Sequence, residues 1–114
     1  MRPAFTLVEL LVAIAVFTIG VLAVAATAGL VAAHVGDGAR LTGSAHVARS
    51  ILDSLAAGSC NAINAGSAAR AGISAEWTVV RDSSAARVEL SVGYALRRGA
   101  RRDLYQLLIP CART

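Results

Sequence analysis

A chain of 114 residues has room for one small domain, which excludes a large enzyme, a multi-domain receptor and a solenoid. It is 56% hydrophobic, 16% charged and 4% aromatic, against ~45–50% apolar and ~25% charged residues in ordinary soluble domains. The excess of apolar residues excludes disorder, and the formal net charge of +4 is carried by Arg alone, with no Lys.

The apolar excess sits in the first third. From Leu10 to Ala33 there is no charged residue. These ~24 residues would form a helix of roughly 36 Å, enough to cross a ~30 Å hydrocarbon core with some tilt. Gly20 and Gly29 either let neighbouring helices approach closely or are simply tolerated. Glu9 stands at the start of the stretch. A carboxylate inside a bilayer costs ~2.5–3.5 kcal/mol on insertion scales, so Glu9 either marks the interface or has a partner. The stretch is too long for a secretory signal peptide, although Ala23-Val24-Ala25 has the small-residue pattern of a cleavage site.

His34-Val35-Gly36-Asp37-Gly38 is a place for the helix to loosen. Beyond it Leu41, Ala45, Ala48, Leu52 and Leu55 step by four and three, which sets them on one helical face. The spacing predicts one long helix, or two nearly collinear ones, from about Phe5 to Ala57, apolar all round at first and amphipathic later.

Residues 59–74 are small and polar and read as a loop. Three strands follow: Glu76 to Arg81, Ala86 to Tyr94 and Asp103 to Ile109, the last stopped by Pro110. The middle one alternates Val88, Leu90, Val92 and Tyr94 with Arg87, Glu89, Ser91 and Gly93, the period of a half-buried antiparallel strand. Arg97 to Arg102 reads as a connecting loop. The expected fold is α+β: a long N-terminal helix, transmembrane then amphipathic, packed on a three-stranded antiparallel meander.

Only about 80 residues lie outside the span, so this core needs a staple. If the domain is exported, Cys60 and Cys111 are placed to provide one; the alternative is two unpaired buried thiols. Two cysteines are too few for a structural zinc site, and no metal or cofactor is expected. His34 and His46 are isolated, and Glu76, Asp82 and Glu89 have no identifiable catalytic partners, so an enzyme is not expected.

Ala4-Phe5-Thr6-Leu7-Val8-Glu9-Leu10-Leu11-Val12-Ala13-Ile14-Ala15-Val16 resembles the type III signal of type IV pilins and type II secretion pseudopilins. The resemblance implies a leader at 1–4, a transmembrane and filament-core helix at 5–33, an amphipathic helix at 34–57, and a loop plus sheet at 58–114. It implies cleavage between Ala4 and Phe5 by a prepilin peptidase, methylation of the Phe5 amine, and pairing of Glu9 with a neighbouring subunit's N-terminus during assembly. Ala4 stands where the family prefers Gly, no helix-kinking Pro follows in the span, and no Asp-rich calcium loop is present. With the short chain, these departures imply a minor subunit. Residues 45–55 and the Trp77 strand resemble the small I-type minor pseudopilin.

The implied location is the bacterial inner membrane, with the N-terminus cytoplasmic and the sheet outside, and then a pilus or pseudopilus. The count of flanking cations does not support that orientation: Arg2 precedes the span, while Arg40 and Arg49 follow it. The specific motif is preferred over the count. One alternative is a competence-type pilin that contacts nucleic acid through Arg97, Arg98, Arg101 and Arg102. Another is an unrelated single-span anchor.

Overall fold

The computed structural model describes residues 4–111, so most of the expected leader (residues 1–3) and the last three residues lie outside the description. Helix α1 runs unbroken over Leu7–Ala56, through Gly36 and Gly38. The chain divides into two compact units, Met1–Gly36 and Asp37–Thr114.

The described part of the first unit is a single helix. Large apolar side chains are exposed all around it, among them Phe17, Ile19 and Leu22. Thr18 and Thr27 donate their hydroxyls to the carbonyls of Ala15 and Val24, at 2.8 and 2.9 Å. Their polar atoms are thus satisfied within the helix, as a lipid environment requires. By length and composition, helix α1 is long and apolar enough to cross a membrane.

The second unit is an antiparallel meander in the order β1-β2-β3-β4: β1 Gly66–Arg70, β2 Ile73–Arg81, β3 Ala85–Leu96 and β4 Gly99–Pro110. The sheet has four strands rather than three. The extra strand lies in the segment expected as a loop. Gly66-Ser67-Ala68-Ala69-Arg70 is exposed at every position, so no apolar alternation announces it. Backbone pairing with β2 makes it a strand, from Gly66 opposite Trp77 to Arg70 opposite Ile73. The Trp77 ring lies over Gly66 so closely that a Cβ there would stand 2.6 Å from Cζ2. The Trp77 indole N–H donates to the Asn64 carbonyl at 3.0 Å, which anchors the same corner.

The core lies on one face of the sheet. Ala86, Val88, Leu90, Val92 and Tyr94 of β3 are all buried, as alternation predicts. One cluster joins Ala48 of α1 to Ala75, Leu90, Val92 and Tyr94, with Ile51 and Leu52 against it. A second joins Cys60, Ile63, Ala86, Val88 and Ile109, with Leu55 against it. The packed stripe of α1 therefore runs through Ser44, Ala48, Ile51, Leu52 and Leu55. It is turned from the expected one: Leu41 stays 38% exposed and Ala45 is exposed. The reason is size. Ser44 and Ala48 are small enough to be buried where the helix meets the sheet, and the Ser44 hydroxyl is satisfied by the Leu41 carbonyl at 2.8 Å.

Candidate functional site

The expected processing site lies at the start of α1. Residues 4–6 are outside the helix, and Phe5 is 83% exposed. Thr6 is the N-cap. Its Oγ1 accepts the Glu9 N–H at 3.2 Å, and its carbonyl accepts the Leu10 N–H at 3.2 Å. Thr6-Leu7-Val8-Glu9 thus has the spacing of a capping box, in which the third helical residue is acidic. Its carboxylate also lies in the first turn, where the helix dipole favours negative charge. A sequence reading focused on the membrane cost of Glu9 passes over this local role, although Thr-x-x-Glu was visible.

The consequence for chemistry is geometric. A peptidase needs an extended, accessible peptide, and helical backbone does not offer one. The Thr6 cap starts the helix after Phe5, so the Ala4–Phe5 bond stands in exposed, non-helical chain. Farther along, Phe17, Gly20, Val21 and Val24 line a shallow apolar depression on the helix surface. Gly20 has no atom within 4 Å of where a Cβ would sit, so the depression is open.

Cys60 and Cys111 are joined in a disulfide, with their Cα atoms 5.2 Å apart and a sequence separation of 51. The loop before β1 is held from the other side by Arg81. Its Nε donates to the Cys60 carbonyl at 3.2 Å, and its guanidinium also donates to the Ile63 carbonyl.

The arginine segment differs from expectation. It is not a six-residue loop. Arg97 and Arg98 alone form the turn, because β4 begins at Gly99, whose φ of 133° suits glycine. Arg101 lies opposite Tyr94 and Arg102 opposite Gly93, so the two side chains point to opposite faces of the sheet. Arg101 is tied down: its Nε is 3.1 Å from Asp103 Oδ1. The buried Tyr94 hydroxyl donates to Asp103 Oδ2 at 2.7 Å. That bond, followed by the one from Arg101, holds the Asp103 carboxyl below its ordinary range against the opposing effect of burial. Burial first, and then the Asp103 contact, pushes the Tyr94 phenol up. This cluster braces the end of the core. Among the described residues no group of three or more His, Cys, Asp or Glu is placed to hold a metal.

Comparison with known proteins gives a local answer. Residues 2–25 match the family described as the prokaryotic N-terminal methylation motif. No curated protein and no solved structure matches the chain. The motif implies processing by a prepilin peptidase and assembly with other pilins, and fits a structural subunit anchored in the inner membrane by its apolar helix. At its N-terminus the chain therefore carries the prepilin-type signature of type IV pilins and pseudopilins.

Proposed function

We propose that this protein is a minor pilin or pseudopilin. A prepilin peptidase cuts between Ala4 and Phe5 and methylates the new Phe5 amine. Residues 10–33 hold the subunit in the inner membrane, N-terminus cytoplasmic, until it joins a pilus or a type II secretion pseudopilus. The Glu9 carboxylate then pairs with the N-terminal amine of a neighbouring subunit, which compensates its burial among apolar helices. The observation that carries this reading is the methylation motif over residues 2–25. An exposed Ala4–Phe5 bond ahead of the Thr6 cap supports it.

Mass spectrometry of the protein from its native membrane tests it. The expected N-terminus is N-methylated Phe5. An intact Met1 identifies a plain membrane anchor, and a new N-terminus after Ala25 identifies a signal peptide; either overturns the proposal. Glu9→Leu separates the cap from the pairing role. Thr6 still accepts the backbone N–H of residue 9, so the helix start survives, while incorporation into filaments is lost.

A further inference from the structure

The fold gathers arginines that the sequence scatters. In a four-stranded meander the first and third turns lie at the same end, so the β1–β2 turn at 71–72 and the β3–β4 turn at 97–98 are neighbours. Arg70, Arg97, Arg98 and Arg102 are exposed at that end, and none has an ion-pair partner among the described residues. The nearby acids are committed: Asp103 to Tyr94 and Arg101, and Asp37 to a backbone N–H. Glu76, on the outer face of β2, lies opposite Ser91, one outward position beyond the Ser74–Gly93 pair.

This end is fastened to α1 close to the apolar stretch. Asp37 Oδ1 accepts the Arg97 N–H at 3.3 Å, and Arg40 Nη1 donates to the Ala95 carbonyl at 2.8 Å. Asp37 is four residues past Ala33, the end of the apolar stretch read from the sequence, and is the first charged residue after Glu9. Four residues span at most ~14 Å in any conformation, so Asp37 stays within reach of the headgroups wherever the apolar stretch ends in a bilayer. The turn bonded to Asp37 is therefore tethered by only a few residues to the apolar stretch, and its cations have no ion-pair partner among the described residues.

We propose that the arginine end of the sheet, centred on Arg97 and Arg98 with Arg70 and Arg102 beside them, docks on anionic lipid headgroups while the subunit is stored in the membrane. The proposal rests on the reading that residues 10–33 span a bilayer. Arginine forks match phosphate oxygens, and basic side chains near an anionic surface are attracted within a Debye length. Leaving the bilayer for a filament would break these contacts, so lipid charge would oppose extraction of the subunit.

The test uses the full chain in phosphatidylcholine bilayers with and without phosphatidylglycerol. Phenylglyoxal modification of each Arg is followed by peptide mass spectrometry. Arg97 and Arg98 are expected to react about fivefold more slowly in the anionic bilayer, the size of attraction typical for one basic residue at such a surface. Arg49, on the second half of α1, and Arg87, toward the other end of β3, serve as controls and should not change. Protection should vanish in ~1 M salt, where the Debye length is about 3 Å. Equal rates in the two bilayers overturn the proposal, as does protection that appears only when duplex DNA is added. A chain that alkaline extraction removes from the bilayer breaks the spanning reading itself, whereas a docking failure leaves the chain bilayer-bound with unprotected arginines.

Discussion

Leu22 and Leu90 show the difference between the two units. Leu22 is 69% exposed on α1, and Leu90 is fully buried beneath the same helix's second half. Both units are rich in apolar side chains, but only Asp37–Thr114 has a sheet to bury them against. In the first unit the apolar surface goes all round the helix, so lipid or neighbouring helices must cover it. One continuous helix thus presents two kinds of surface: exposed apolar side chains before Gly36, and a stripe packed on the sheet after it.

Mutations sharpen that contrast, and each can be read from denaturant unfolding of the full chain in micelles, followed by Trp77 fluorescence. The largest effect is expected from Cys60→Ser/Cys111→Ser. Opening a 51-residue separation should lower the stability of the second unit by roughly 4 kcal/mol. Reductant should reproduce the loss in the native chain, and helicity of the first unit should be unchanged. Next, Leu90→Ala should cost about 3 kcal/mol by leaving a cavity, while Leu22→Ala should stay within ~0.5 kcal/mol. Similar losses at the two positions would break the comparison. Gly66→Ala drives a methyl into the Trp77 ring and should cost about 2 kcal/mol.

Ala71 sits at a φ of 50° in the β1–β2 turn, in the left-handed region. Ala71→Gly should therefore stabilise the hairpin by about 0.5 kcal/mol. The smallest effect is confined to acid. The folded-state pKa of Asp103 lies below its ordinary value of 3.8. Its contribution to stability is complete above the unfolded-state value and is lost as the pH falls through the folded-state one. The native chain should lose stability faster than Asp103→Asn below about pH 4. Parallel acid profiles would show that the Tyr94–Asp103 contact does not contribute.

Much of the architecture was legible because it is written in local pattern. The uncharged run marks the first part of α1, strict alternation marks β3, and Phe5-Thr6-Leu7-Val8-Glu9 with its apolar continuation marks the methylation motif. Each of these needs only neighbours within a few residues. β1 was not legible, because its side chains bury nothing and its existence depends on pairing with β2. The rotated stripe on α1 was hidden for a related reason: a helical face can be read from hydrophobicity, but which small residues meet the sheet depends on the residues packed against them, here Leu90, Val92 and Tyr94.

The same division applies to function. By itself the sequence determined a helix apolar on every side, a carboxylate near its start and a methylation motif, since composition and short spacing carry all three. Only the tertiary structure decided that Cys60 meets Cys111, that the arginine loop shrinks to a two-residue turn, and that Arg70 and Arg97 share an end of the sheet. These depend on strand pairing across tens of residues. Such pairing is settled by the summed backbone hydrogen bonds and buried faces of the whole sheet, which no short stretch of sequence contains.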